Sequence, residues 1–119
     1  MKNSAQRILA LMLFVFPLEL AFAEEVTREE GLALMDECQR QREENIAPLR
    51  EQEIENCVDQ QGKDRDYCER YNRDFGESRS TATGGMRLGL FWDLPVCEDA
   101  FEAERYFKMN PRAKSFTLP

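Results

Sequence analysis

The chain has 119 residues, four cysteines, no histidine and a formal net charge of −7 at pH 7. This length fits one small domain and leaves no room for two. Without histidine the chain lacks the usual base of nucleophilic triads and the commonest metal ligand, which argues against most familiar enzyme classes. The acidic charge repels polyanions, so we expect no nucleic-acid binding.

Residues 1–23 have the organisation of a secretory signal peptide. Lys2 and Arg7 give a basic start, an apolar run of 11 residues extends from Ile8 to Leu18, and Ala21-Phe22-Ala23 fits a signal-peptidase site. A membrane-spanning helix needs about 20 apolar residues. We therefore expect a cleaved signal rather than an uncleaved anchor or a buried N-terminal helix, and no membrane insertion after cleavage.

Cleavage would place the mature protein outside the cytoplasm, in the periplasm or secreted. It removes two basic residues and one acidic residue, which leaves 14 basic and 22 acidic residues and a net charge of −8. The mature chain is thus more acidic than its precursor.

Residues 24–110 are predicted to form a single all-α domain that begins with a long helix. Thr27-Arg28-Glu29-Glu30 has the capping-box form, so a helix should begin there. Gln39–Asn45 contains no apolar residue, and we expect this stretch to stand in water on most sides. Pro48 lacks an N–H, so the helix should kink or restart at that point.

A second helix should follow a short polar turn. Asp64 or Asp66 can cap it, and Gly76 can end it. A short loop between two amphipathic helices makes them antiparallel neighbours, so these two should form a helical hairpin. The residues expected along the second helix, at spacings of one, three and four, are Tyr67, Cys68, Tyr71 and Phe75.

Residues 77–93 change character and then give way to a third helix. A short loop or a β-hairpin is expected around Gly84-Gly85. The third helix should begin near Pro95 and end at Asn110-Pro111. We expect residues 111–119 to be a flexible C-terminal tail.

The four cysteines are expected to form two structural disulfides, because an exported chain with an even cysteine count should have them paired. Along a continuous helix Cys38 and Cys57 lie ~28 Å apart at ~1.5 Å per residue, so that pair requires Pro48 to fold the chain back. The hairpin register sets Cys57 against Cys68 and leaves Cys38 with Cys97. A pairing of Cys38 with Cys68 and of Cys57 with Cys97 remains open, without such a register to support it.

Metal and redox chemistry are not expected from these cysteines. The intervals between them contain 18, 10 and 28 residues, whereas zinc ligands come in close pairs and a redox pair takes the CxxC form. We therefore expect no metal and no cofactor.

Charged and aromatic residues on the first two helices could in principle form a functional site. The carboxylates could serve as acid and base, but they are ranged along a helix and favour a solvated face. They are Glu43, Glu44, Glu51, Glu53 and Glu55. The Arg and Tyr residues of 65–73 alternate with acidic residues, so Tyr67 and Tyr71 are interpreted as core residues of the hairpin seam.

The densest apolar stretch after the signal runs from Met86 to Leu94. Part of it should cover the helices, because a helical hairpin alone leaves an apolar side open. Exposed aromatic residues there would form an interaction surface, with Phe91 and Trp92 as the candidate partner contacts.

No residue set assembles into a nucleophile, a base and a charge stabiliser, which favours a non-enzymatic binding or accessory protein. Its partner would be an unidentified protein or envelope component. One alternative is an envelope hydrolase or inhibitor that uses carboxylates and arginine. Another is a homo-oligomeric structural protein in which Glu29–Asn45 packs against its twin. Two converging carboxylates in a deep pocket would favour the hydrolase hypothesis. An apolar patch near Trp92 would favour the binding-protein hypothesis.

We predict that the mature N-terminus is Glu24, because Ala21-Phe22-Ala23 places the cleavage after Ala23. The intact mass of the protein recovered from the export compartment measures this directly. A mass that retains residues 1–23 would contradict the export of a cleaved protein.

Overall fold

A computed structural model describes residues 23–119, and the expected signal peptide lies outside this range except for Ala23. The described part is mostly helical, with 58% of it in three helices, and it also contains short strands and two disulfides. The helices are α1 (Arg28–Gln61), α2 (Arg65–Tyr71) and α3 (Pro95–Met109). The strands are β1 (Glu25–Thr27), β2 (Arg79–Ser80), β3 (Met86–Arg87) and β4 (Ser115–Thr117).

Helix α1 begins at the predicted capping box. The Thr27 hydroxyl accepts from the Glu30 N–H at 3.2 Å, and the Glu30 carboxylate accepts from the Thr27 N–H at 2.6 Å. The helix then continues through Pro48 to Gln61 instead of restarting at the proline. A proline removes one helical hydrogen bond, and buried Ile46 and Ile54 anchor the helix on both sides of it.

Helix α2 is shorter than predicted. The Asp64 carboxylate caps it by accepting from the Tyr67 N–H at 2.9 Å, but the helix ends at Tyr71. Phe75 instead lies in a series of tight turns that lead to Gly76. Gly76 has a φ of 86°, and a Cβ at this position would lie 2.8 Å from Ile46 Cγ2. Both the backbone conformation and the close contact with α1 therefore require glycine.

The two disulfides are the pairs that the hairpin register predicts. Cys57 and Cys68 join α1 to α2, with their Cα atoms 5.8 Å apart. Cys38 and Cys97 join α1 to the first turn of α3, with their Cα atoms 4.8 Å apart. The first bridge packs with Ile54 in a small buried cluster.

The C-terminal residues 111–119 are packed against the domain rather than extended as a tail. Strand β4 pairs antiparallel with β1, with Phe116 opposite Val26. The Phe116 ring stacks on Tyr106 at 4.4 Å between centroids, and Leu118 is buried with Val26 and Phe107. The flexible-tail expectation is wrong because this segment supplies two apolar side chains to the core at the N-terminal end of α1.

Residues 77–93 contain the hairpin that was one of two predicted alternatives. Strands β2 and β3 pair antiparallel, with Ser80 opposite Met86. Gly84, with a φ of 83°, lies in the turn, and the Thr81 N–H donates to the Gly85 carbonyl at 2.8 Å.

Arg42, in the middle of α1, is a core residue with only 1% of its surface exposed. Its guanidinium donates to the carbonyls of Leu90 at 2.8 Å and Gly76 at 3.2 Å, and to the Gln39 side chain at 2.7 Å. Its Cζ also lies 3.6 Å from the Trp92 ring centroid. The expectation that Gln39–Asn45 stands in water is wrong at this position, because a planar cation satisfies buried carbonyls that an apolar side chain could not.

We expect Arg42→Ala to lower the free energy of unfolding by about 3 kcal/mol, since it leaves buried carbonyls without donors and removes the contact with Trp92. Urea unfolding with both disulfides intact measures this. Arg40→Ala is the matched control, because Arg40 lies on the same helix in exposed ion pairs with Glu37 and Glu44 and should matter little. Equal losses for the two variants would show that Arg42 does not hold the core.

Candidate functional site

The two predicted partner contacts lie half-buried in the domain. The Trp92 ring packs against the Arg42 guanidinium and against Phe101, whose centroid is 5.4 Å away. The Trp92 Nε1–H donates to the Ser78 hydroxyl at 3.2 Å. Phe91 has a left-handed backbone with a φ of 60°, which is unusual for an aromatic residue. These contacts give Trp92 a structural role whether or not a partner also touches it.

Other apolar side chains of the segment from Met86 to Leu94 are more exposed than Phe91 and Trp92. Met86, Leu88 and Leu90 lie at the surface, and Leu88 is 73% exposed. The sequence showed that the stretch is apolar, but not that Trp92 would pack against Arg42 while Met86 and Leu88 remain exposed.

An apolar groove lies between residues 28–35 of α1 and residues 100–108 of α3. We call it the α1–α3 groove, and its volume is about 300 Å³. Leu32, at 67% exposure, stands at its mouth. The lining residues are Arg28, Gly31, Leu32, Met35, Ala100, Glu104, Phe107 and Lys108.

Gly31 sets the depth of this groove. A Cβ at position 31 would lie 3.2 Å from the Cβ of Ala103, which is tighter than ordinary contact, and 3.6 Å from the Phe107 ring. Helices approach this closely where one of them carries a small residue. The groove floor therefore combines the α1 backbone at Gly31 with the Phe107 ring.

Charged groups edge the groove. The Arg28 guanidinium lies 4.7 Å from the Phe107 ring centroid and donates to the Pro111 carbonyl at 3.0 Å, beyond the end of α3. The Lys108 ammonium and the Glu104 carboxylate form an ion pair at 2.7 Å. Two cations and one carboxylate thus border an apolar surface. No local sequence pattern marks this groove, because it depends on where α3 lies against α1.

Four carboxylates of α1 are engaged in ion pairs, namely those of Glu37, Glu43, Glu44 and Glu51. Arg50 binds both oxygens of Glu43, at 2.7 and 3.1 Å, and this hydrogen bonding lowers the pKa of Glu43. A hydrogen bond from Arg40 lowers the pKa of Glu37 to about 2. A general acid needs a raised pKa, so these groups do not resemble the acid of a hydrolase.

The interleaved arginine and tyrosine residues of α2 also differ from expectation. Tyr67 and Tyr71 lie at the surface, not in the hairpin seam, and Tyr71 is 75% exposed. The buried cluster between α1 and α2 consists instead of Cys57, Cys68 and Ile54. Arg65 is bound by the carboxylates of Glu51 and Glu69, and Arg70 by that of Asp66.

Within residues 23–119, no three cysteine or acidic side chains lie close enough together to hold a metal ion. In the same part of the chain, no helix has the length and apolar character needed to cross a membrane. No family model, curated protein or solved structure matches the chain.

We expect Trp92→Ala to lower the free energy of unfolding by about 2 kcal/mol, since it opens a cavity beside Arg42 and Phe101. Urea unfolding tests this, with exposed Met86→Ala as the control that should change little. Trp92 is the single tryptophan, so its fluorescence should also resist acrylamide quenching. Full quenching together with unchanged stability would make Trp92 an exposed side chain.

Proposed function

We propose that the protein is an exported, non-enzymatic binding protein whose α1–α3 groove holds an amphiphilic envelope component with an aliphatic chain and an anionic headgroup. The observation that carries this proposal is the open apolar groove of about 300 Å³ with cations at its edge. Pockets of this size are within the range that takes small ligands.

The apolar wall favours an aliphatic chain. Leu32 and Met35 on α1 face Phe107 on α3 across the groove. Covering such surface contributes about 25 cal/mol per Å². Methionine adapts its shape to a flexible ligand at little cost. A chain lying along the groove would cover Leu32, which water now surrounds.

The charges favour an anionic headgroup. The groove residues Arg28, Lys108 and Glu104 sum to one positive charge, whereas the whole chain has a net charge of −7. A local cation in an acidic protein attracts an anion to that place and repels it elsewhere. Lys108, with its side chain 72% exposed, can move from Glu104 to a headgroup.

Export is supported by the two disulfides and by the signal-like sequence of residues 1–23. Disulfides persist in oxidising compartments such as the periplasm and the extracellular space. Amphiphilic components are abundant in and around a cell envelope, so this location would bring the groove to its ligand.

Calorimetric titration of the mature, disulfide-bonded chain with monomeric dodecanoate tests the proposal. We expect saturable binding, and decanoate should bind roughly tenfold more weakly because each buried methylene contributes about 0.8 kcal/mol. Dodecyltrimethylammonium, with the same chain and the opposite charge, should bind more weakly than dodecanoate.

Matched variants place the ligand in the groove. Leu32→Glu should weaken dodecanoate binding at least roughly tenfold by setting a carboxylate in its path. Leu88→Glu makes the same substitution at an exposed residue just after the hairpin and should leave dodecanoate binding unchanged. Equal effects of the two changes, or no preference for dodecanoate over the cationic amphiphile, would contradict the proposal.

A further inference from the structure

We infer that a polar cavity beside the end of α2 is a second binding site, which takes one pyranose unit of a neutral glycan. Tyr71 supplies a ring on which the sugar stacks, and four polar side chains supply its hydrogen bonds. This inference is independent of the α1–α3 groove, with which it shares no residue. The cavity, of about 460 Å³, is lined by Tyr71, Asp74, Glu77, Ser78 and Arg79.

The aromatic ring is exposed and lies beside a second ring. Tyr71 is 75% exposed, and its ring lies nearly parallel to that of Tyr67, with 6.0 Å between centroids and 14° between planes. A sugar ring presents a face of C–H groups, which pack on an aromatic face through dispersion and weak C–H contacts. An exposed tyrosine at a polar cavity suits a ligand that is itself both polar and flat.

The polar groups have hydrogen-bonding capacity left. Within residues 23–119, neither Asp74 nor Arg79 forms an ion pair within 4.0 Å, and Glu77 has only a 3.6 Å contact with Arg42. The Ser78 hydroxyl accepts from the Gly89 N–H and from Trp92 Nε1, so its own hydrogen remains to be donated.

This set of groups matches neighbouring sugar hydroxyls. Each hydroxyl both donates and accepts a hydrogen bond, and a carboxylate can accept from two of them. A guanidinium can donate to two acceptors at once. The cavity therefore offers acceptors and donors together, as a sugar requires.

Other ligand classes fit this cavity less well. The lining carboxylates Asp74 and Glu77 are balanced by Arg79 and by Arg42, which lies 3.6 Å from Glu77, so no excess of positive charge draws a phosphate or other anion. An aliphatic chain would find Tyr71 alone as apolar wall. No group of three acidic or cysteine ligands lies here or elsewhere in residues 23–119 to hold a cation. A neutral polar ring remains as the ligand that the cavity fits.

Hydrogen bonds at Gly76 and Ser78 anchor the loop that carries these groups. The Gly76 carbonyl accepts from Arg42 at 3.2 Å and from the Leu90 N–H at 2.9 Å. Ser78 is fixed by its bonds to Gly89 and Trp92. Because the backbone of this loop is already tied to α1 and to the segment before α3, binding a sugar does not have to order the loop itself.

We would titrate the mature, isotope-labelled chain with maltotriose, cellotriose and triacetylchitotriose, and follow the backbone amides by NMR. At least one of the three should cause saturable shifts centred on residues 71–79, with a dissociation constant of about 1 mM. Absence of saturable shifts with all three sugars would overturn the inference.

Variants of Tyr71 test whether the sugar binds by stacking on this ring. Tyr71→Ala should weaken binding at least roughly tenfold, whereas Tyr71→Phe, which keeps the ring, should stay within about threefold of the original chain. Met109→Ala removes an equally exposed apolar side chain, 75% exposed, and should have no effect. Unchanged binding by a folded Tyr71→Ala variant would overturn the inference.

Discussion

The buried guanidinium of Arg42 fixes the path of the chain between α2 and α3. A charge removed from water is costly unless acceptors replace the lost hydration. Here the carbonyls of Gly76 and Leu90 and the side chain of Gln39 do so, while the Trp92 ring covers the guanidinium plane. The carbonyls depend on the arginine in turn, because without it they would be buried with no hydrogen-bond donor. The irregular segment is thus tied to α1 by polar contacts rather than by an apolar core.

Apart from this contact, a small group of elements packs against each end of α1. Its N-terminal half packs against α3 and the β1–β4 pair, and its C-terminal end packs against α2. Each apolar cluster is small. The bridges Cys38–Cys97 and Cys57–Cys68 span 59 and 11 positions, and by chain entropy they contribute about 4 and about 3 kcal/mol. Because domains are stable by only about 5–15 kcal/mol, the disulfides are decisive for this fold.

Local rules predicted much of this architecture, and long-range contacts account for what they missed. The capping box at Thr27, the Asp64 cap and the facing positions of Cys57 and Cys68 depend on residues close in sequence. The pairing of β1 with β4 joins the two ends of the described chain, and no local pattern marks it. Arg42 was misjudged because an arginine between polar neighbours looks solvated, and its acceptors lie 34 and 48 positions away. The candidate sites depend on these contacts, so their residues were visible in the sequence but their grouping was not.

Helix lengths explain why the fold leaves the α1–α3 groove open. At ~1.5 Å per residue, α1 is ~51 Å long and α3 ~22 Å, so α3 cannot cover the whole of one side of α1. The Cys38–Cys97 bridge fixes where α3 begins, and Gly31 fixes how closely it approaches, which leaves the groove beside Leu32. The polar cavity instead depends on Gly76 and Arg42. The α1–α3 groove and the polar cavity therefore depend on different contacts with α1. A substitution in one of them should leave the structure of the other unchanged.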